Sequence, residues 1–140
     1  MLSVSMPDFA GLEAKLRAMA NEAETKIHNE LQTFGEETVT ELQQIILSGQ
    51  IAPPKVGGGV TFVDTGNYVN SYDTVTTGVS MGLGPTGDNK NMPNADLADL
   101  LEFGSSIMPA RPHVRPMILR VETRLPRLGK RISNAVLGRP

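Results

Sequence analysis

Apolar side chains recur every three or four residues along the first third of the chain, and this spacing predicts an amphipathic helix. Ser5 with Asp8 resembles a capping box at its start, and Ser48-Gly49 before Pro53-Pro54 predicts its end. The members of the stripe are Phe9, Leu12, Leu16, Met19, Ala23, Ile27, Leu31, Phe34, Leu42 and Ile45.

An unbroken helix of this length would be too long for its apolar side to be buried by a single chain of this size. It would be roughly 60 Å long at 1.5 Å per residue, whereas a compact chain of this size has a radius of gyration of about 14 Å. The helix therefore either breaks or is covered by neighbouring molecules. Gly35 is the expected break, because Thr33 and Glu36 are spaced to cap a second helix there.

The middle of the chain has the pattern of a small antiparallel sheet. Residues 50–59 predict a loop with a glycine triplet, and residues 60–63 (VTFV) predict a short strand. From Tyr72 to Leu83, threonines and then alternating apolar positions predict a hairpin that turns near Thr77-Gly78. Residues 84–94 predict a polar loop.

Helical spacing returns in the last third. Asn94 is expected to cap a helix over residues 95–103, and a proline-rich link follows. A second long amphipathic helix comes next, kinked at Pro126, which lacks a backbone donor. Its stripe is Val114, Ile118, Val121, Leu125, Leu128, Ile132 and Ala135.

These elements predict an α+β fold in which a small antiparallel sheet packs against the long N-terminal helix and the kinked C-terminal helix. We interpret residues 1–140 as a single domain. Its parts are the N-terminal helix region (1–49), the loop, strand and hairpin (50–94), and the helix, Pro/Arg link and C-terminal helix (95–140).

Composition narrows the functional classes. The chain has no cysteine and two histidines, which removes thiol nucleophiles and disulfide scaffolds. No stretch approaches the length of a membrane span, so we expect a soluble protein made in the cytoplasm that has no membrane partner. The formal net charge is -2, yet acids predominate in residues 8–41 and bases in residues 109–140, which indicates a partner of complementary charge.

Three motifs suggest chemistry, and each fails in its context. Residues 62–66 (FVDTG) match the aspartic-protease motif, but such proteases are almost entirely strand, and Asp64 is better explained as a turn residue. Gly82, Gly84 and Gly87 match the dinucleotide pattern, but no helix start follows them. His28 and His113 lack a further ligand at metal-binding spacing. We expect no enzymatic activity, no cofactor and no metal.

Four arginines form a basic ridge on the C-terminal helix, each immediately before an apolar position: Arg120, Arg124, Arg127 and Arg131. Their stems could cover the edge of the core in solvent, or their guanidinium groups could meet carboxylate or phosphate. The acidic complement is Glu30, Glu36, Glu37 and Glu41 of the first helix, which we expect to be offered by a neighbouring copy. DNA is the alternative, although DNA-binding chains usually carry a net basic excess.

Two segments resemble the neck and tail-completion proteins of tailed bacteriophages. Residues 65–72 (TGNYVNSY) are similar to the family's "TG, one residue, apolar, two residues, Ser, apolar" signature. Residues 101–105 (LEFGS) and 109–118 (PARPHVRPMI) are similar to its second signature, an "EFG" turn leading to "ARPF, apolar, RP". The signature residues are Thr65, Gly66, Tyr68, Ser71, Glu102, Phe103, Gly104, Pro112 and Pro116.

The resemblance extends from Thr65 to the C-terminus. For the first helix it is limited to the type of element, a long N-terminal helix. Leu97 stands where the family often has tyrosine, and His113 where it usually has phenylalanine. These departures leave the subfamily, and with it the layer of the neck, open.

The resemblance implies a non-enzymatic virion protein of the neck and tail, assembled in the host cytoplasm as a homo-oligomeric ring. Six copies are expected and twelve remain an alternative. The ring would join the head connector or stopper protein to the tail tube protein, and DNA would pass through it without sequence-specific contact. The alternative function is a DNA-contacting accessory protein that uses the basic ridge.

In that setting the proline-rich link has a physical role. Proline restricts the backbone, so Arg111 and Arg115 are expected to be held in place before assembly and to pair with acids on an adjoining subunit.

Overall fold

The first helix is long and unbroken. The computed structural model describes residues 9–47, 67–107 and 109–139, and in it α1 spans Phe9–Leu47 as one helix of 39 residues. The predicted break at Gly35 is wrong. A Cβ atom there would lie 2.6 Å from Met81 Sδ and 2.7 Å from Thr74 Cγ2. The glycine therefore lets a neighbouring element approach the helix closely.

Several predictions lie outside the described residues: the capping box at Ser5 and Asp8, the helix end at Ser48-Gly49, the loop 50–59, the strand 60–63 and the turn at Asp64.

The element that approaches Gly35 is the predicted hairpin. A short helix α2 (Asn67–Asn70) leads into β1 (Tyr72–Thr77), which pairs antiparallel with β2 (Ser80–Pro85). Gly78, with φ of 55°, forms the turn, and the hairpin prediction is confirmed. His28 Nδ1 donates to the Gly78 carbonyl oxygen at 3.2 Å, so the hairpin lies along α1 with its tip toward the N-terminus of that helix.

The segment predicted as a polar loop contains a second, very small antiparallel pair. Strands β3 (Asp88–Asn89) and β4 (Met92–Pro93) precede α3 (Asn94–Phe103). The predicted cap by Asn94 is wrong, because Pro93 occupies the cap position and no side-chain cap bond forms. Asn94 is instead buried, and its side-chain amide donates to the Thr86 carbonyl at 2.8 Å.

The C-terminal helix α4 spans Val114–Leu137 and continues through Pro126. Pro116 falls in its first turn, where the missing N–H costs no intrahelical bond. Gly138 ends the helix in the left-handed conformation, with φ of 64°, and its N–H bonds the Asn134 carbonyl.

The architecture is α+β, with the small sheet and both long helices around one core. Helix α4 runs antiparallel to α1, because Arg120 near its start reaches Glu41 whereas Arg131 further along reaches Glu30. The core joins the C-terminal half of α1 to every other major element. Its buried members are Leu42, Ile45, Ile46, Tyr68, Val69, Tyr72, Ala98, Leu101 and Met117.

The N-terminal part of α1 extends past this core. The hairpin tip is level with Glu24, since a Cβ atom on Gly78 would lie 3.4 Å from Glu24 Oε1. We call residues 9–23, which precede this level, the arm. The apolar side chains of the arm are exposed: Phe9 58%, Leu12 51%, Leu16 57% and Met19 66%. Within the described ranges, α1 is thus longer than the elements that pack against it.

Candidate functional site

The basic ridge and the acidic residues of α1 meet within a single chain. Glu41 receives two arginines: Arg120 Nη1 lies 3.2 Å from its Oε1, and Arg124 Nη2 pairs with its Oε2. The acid that binds Arg120 and Arg124 belongs to the same chain, so the expectation that a neighbouring copy supplies it is wrong for these side chains.

Arg131 makes the second set of ion pairs. Its Nε lies 2.8 Å from Glu30 Oε2, and its Nη1 lies 3.2 Å from Glu37 Oε2. These side chains keep roughly a quarter to a half of their surface exposed, and such pairs each contribute about 0–1 kcal/mol. The pairs fix the register of α4 on α1, whereas apolar burial supplies most of the stability.

The remaining predicted residues, Arg127 and Glu36, line a groove of about 670 Å³ between α1 and α4. Glu36 accepts a hydrogen bond from Gln32 Nε2 at 3.0 Å. Three glutamates and three arginines line this groove, so their charges offset one another: Glu36, Glu37, Glu41, Arg124, Arg127 and Arg131. A groove of balanced charge offers no strong field to a polyanion.

The link between α3 and α4 is clamped at both ends. The Gly104 N–H bonds the Leu100 carbonyl at 2.8 Å, and Gly104 adopts φ of 76°, which favours glycine. At the other end the Arg111 N–H bonds the Leu101 carbonyl at 2.6 Å. The two ends of the link are therefore fixed to the last turn of α3.

The link and the residues that flank it present side chains outward. Phe103 is 79% exposed and Ile107 is 94% exposed. Pro112 and Arg115 are also exposed, whereas Arg111 is half-buried. Of the two predicted assembly arginines, Arg115 is thus the one that a neighbour could reach directly.

Glu102 caps the N-terminus of α4 from the neighbouring helix. Its Oε2 accepts from the backbone N–H groups of His113 at 2.8 Å and Val114 at 3.0 Å, and its Oε1 accepts from Arg115 N–H at 3.1 Å. The carboxylate satisfies donors that have no partner within α4 and lies at the positive end of the helix dipole. It therefore joins α3, the link and α4 into one unit.

Burial alone would raise the pKa of the Glu102 carboxyl, but the three backbone donors and the nearby His113 outweigh it and hold the pKa below its ordinary value. Glu102 is consequently a stable anion at neutral pH.

His113 completes this unit on the buried side. It is 0% exposed. Its Nδ1 lies 3.0 Å from the Arg111 carbonyl and 3.4 Å from Glu102 Oε2, which are both acceptors, so Nδ1 carries the proton. Nε2 then accepts a hydroxyl hydrogen bond: Tyr68 Oη lies 2.5 Å and Tyr72 Oη 3.1 Å from it, and the two hydroxyls lie 2.7 Å apart and are hydrogen-bonded to each other. Every polar atom of this chain of groups has a partner in the neutral state.

The pKa directions agree with that neutral network. Burial is the main cause that lowers the pKa of His113, and it outweighs the opposing effects of the Arg111 carbonyl and Glu102. Burial likewise raises the pKa of Tyr68, and it raises that of Tyr72 to about 12. The cluster is therefore uncharged apart from Glu102, which suits a structural role.

The described signature residues gather around this unit. Ser71 Oγ donates to the Tyr68 carbonyl at 2.7 Å, and the Ser71 carbonyl accepts from Thr86 N–H at 2.8 Å, which ties α2 to the end of β2. Phe103, Gly104 and Pro112 lie in or beside the link, and Pro116 lies in the first turn of α4. Thr65 and Gly66 lie outside the described residues.

Sequence reasoning named Tyr68 and Glu102 by resemblance and missed what they do. Nothing in the spacing of Glu102 and His113 indicates that one carboxylate caps a helix eleven residues later. The one available signal was the lack of a capping side chain ahead of Val114.

The described residues form neither a metal-binding cluster nor a membrane-spanning helix. No group of three or more His, Asp or Glu side chains within the described ranges could hold a metal ion. Among the helices of residues 9–47, 67–107 and 109–139, none is long and apolar enough to cross a bilayer. Comparison of the chain with family models, curated proteins and solved structures gave no match.

Proposed function

We propose that the chain is a structural virion protein that forms a ring in the neck of a tailed bacteriophage, between the head connector and the tail tube. The observation that carries this proposal is the exposed apolar stripe of the arm, together with a link whose ends are fixed before any partner binds. The resemblance of residues 65–72 and 101–118 supplies the family, and the physical features supply a reason for assembly.

The arm supports self-assembly because it exposes contiguous apolar surface. Phe9, Leu12, Leu16 and Met19 are each more than half exposed along one side of a helix. At about 100 Å² of exposed surface per side chain the stripe covers roughly 400 Å², which is the size of the largest apolar patch on a typical monomeric protein, and such patches are often functional. The described residues of a single copy leave this surface exposed, and association with another chain would remove it from water.

The link supports docking because its two ends are held by hydrogen bonds within the chain. Glu102, Leu100 and Leu101 hold its two ends, and prolines restrict the segment between them. A partner that binds Arg115, Phe103 or Ile107 therefore pays little ordering entropy. In a neck ring this surface would contact the adjoining subunit or the next layer.

The DNA-contacting alternative is disfavoured by the ion pairs. Arg120, Arg124 and Arg131 already bind carboxylates of α1. Phosphate would have to displace those carboxylates, and only the free energy gained beyond the lost ion pairs would appear as affinity. We therefore keep ring assembly as the single proposed function.

The test uses the whole protein and one exposed side chain. Arg115→Ala should leave the fold intact, because its capping contact with Glu102 uses the backbone N–H. In the phage that carries this variant, heads and tails should accumulate unjoined, as scored by electron microscopy. Arg139→Ala, an exposed arginine just past the end of α4, is the control and should give joined particles.

Native mass spectrometry of the purified protein, alone and with tail tube protein, provides the complementary measurement. A ring of six or twelve copies, or a complex with the tube protein, supports the proposal. A protein that stays monomeric in both samples, together with normal joining in Arg115→Ala, would refute it.

A further inference from the structure

The bare stripe of the arm lies on the side of α1 that α4 covers further along. At about 100° per residue, Phe9, Leu12, Leu16, Met19 and Ala23 fall within a sector of roughly 80°. The acids that bind α4, namely Glu30, Glu37 and Glu41, fall in the same sector. The arm therefore presents a continuation of the surface on which α4 packs, beyond the point where α4 ends.

The apolar positions of the arm follow one another at shorter sequence intervals than those in the rest of the stripe. Phe9, Leu12, Leu16, Met19 and Ala23 alternate steps of three and four, which is the seam of a two-helix coiled coil. Phe9, Leu16 and Ala23 occupy the a positions of the heptad, and Leu12 and Met19 occupy the d positions. A strict a/d seam predicts a single helix as the partner.

We propose that this partner is the arm of a second copy, bound antiparallel about a two-fold axis. In this register Leu16 packs on Met19 of the second copy, and Leu12 packs on Ala23 of the second copy. Large side chains thus meet small or flexible ones, and the layers fill without steric conflict. Phe9 covers the aliphatic stem of Lys26 of the second copy.

The charges beside the seam favour the antiparallel arrangement. Lys15 and Glu22 occupy the two g positions of the arm, and g positions face one another in an antiparallel pair. Lys15 then meets Glu22 of the second copy, which within its own helix already pairs with Lys26 at 2.7 Å, and the two-fold axis repeats this contact. In a parallel pair Lys15 would face Ala20 of the second copy and gain no ion pair.

The end of α4 is placed to join the contact. Leu137 is 60% exposed, and it lies six residues, about 9 Å, beyond Arg131, which binds Glu30. The antiparallel register brings Phe9 of the second copy level with Lys26, next to this end of α4. The second arm would continue the line of α4 along α1.

The predicted contact is weak. Two stripes of roughly 400 Å² plus the flanking stems come near the 1,000 Å² that marks the lower end of specific interfaces. Association is therefore expected to depend on concentration in the range of about 1 µM to 1 mM. A two-fold contact closes on two copies, so the pair is a separate contact from the one that closes a ring, and it does not rest on the proposed neck function.

Charge reversal tests the register. Lys15→Glu or Glu22→Lys alone should weaken self-association, measured by sedimentation equilibrium, on the order of tenfold, because each places like charges opposite one another. The double variant K15E/E22K should restore it, because the pairs re-form with reversed sign. Arg17→Glu, a change of charge outside the a, d and g positions, is the control and should have little effect.

Cysteine cross-linking tests the direction, and the natural chain has no cysteine to interfere. Leu16→Cys mixed with Met19→Cys should form an oxidised heterodimer, whereas Leu16→Cys alone should cross-link poorly to itself. Self-linking of Leu16→Cys, failure of the double charge reversal to rescue, or a wild-type protein that stays monomeric at 1 mM would each overturn the proposal. A ring whose assembly ignores all of these arm variants would overturn it, and the neck function would then rest on the link alone.

Discussion

The capping carboxylate Glu102 gives the sharpest test of how α3, the link and α4 are joined. Replacing it by glutamine keeps the shape of the side chain but removes the charge and one acceptor oxygen. Three backbone N–H groups now bond this carboxylate, and an amide oxygen cannot serve all three. The amide NH₂ group would also face those donors, so Glu102→Gln should weaken the start of α4.

The magnitude follows from the individual contacts. Hydrogen bonds to charged groups contribute about 1.5–3 kcal/mol each, and loss of a helix cap costs about 0.5–2 kcal/mol. Arg115 is exposed, so water can replace its contact, whereas His113 is buried and its N–H would lose a partner. We expect a loss of about 2–3 kcal/mol in the free energy of unfolding.

Urea unfolding followed by far-ultraviolet circular dichroism at pH 7 measures this loss. Glu122→Gln, which removes an exposed carboxylate from α4, is the matched control and should change the free energy by less than about 0.5 kcal/mol. The folded pKa of Glu102 is lowered, so its contribution is complete above its ordinary pKa near 4.5 and is lost as the pH falls below it. If Glu102→Gln is as stable as wild type at pH 7, the cap does not hold α4 and the reasoning fails.

Two further predictions concern His113 and the helix glycines. Because the folded pKa of His113 is lowered, wild type should lose stability as the pH falls below about 6.5, by up to about 1.4 kcal/mol per pH unit. His113→Phe should flatten that part of the profile, and an equally steep profile in the variant would show that other groups cause it. Gly35→Ala should lower the free energy of unfolding by about 1–3 kcal/mol, because its Cβ would clash with Met81 and the hairpin. Gly129→Ala, which meets nothing within 4 Å, should instead raise it by up to about 1 kcal/mol, and equal effects at the two glycines would contradict the packing described.

The parts of the fold that follow from one-sided burial could be predicted from the sequence. Apolar spacing located α1 and α4, and alternation located the hairpin, because a buried face imposes its own period on the chain. Gly35 was misread because the same residue type serves as a helix breaker and as a site of close approach. The choice depends on Met81, which is 46 positions away in the chain.

The sequence predicted the residue types of the candidate site, acids and bases, but not which residues pair with one another. Segregated charge indicated that acids and bases would pair, yet the composition of two helices cannot specify whether the same chain or a neighbour brings them together. In this chain Glu102 joins the start of α4 to α3, and Arg131 reaches Glu30 further along the same helix. These contacts join residues far apart in the sequence and have no signature in residue spacing.

Helix α4 covers part of α1 but is synthesised long after it, because the two helices lie at opposite ends of the chain. Arg131 and Glu30 are 101 residues apart, and ribosomes add about 5–20 residues per second. The N-terminal helix therefore emerges several seconds before the helix that covers it, and its core-facing side chains spend that interval in water. A polysome that makes many copies at once would hold such nascent helices close together, where chaperones or neighbouring chains could cover the face that α4 later covers.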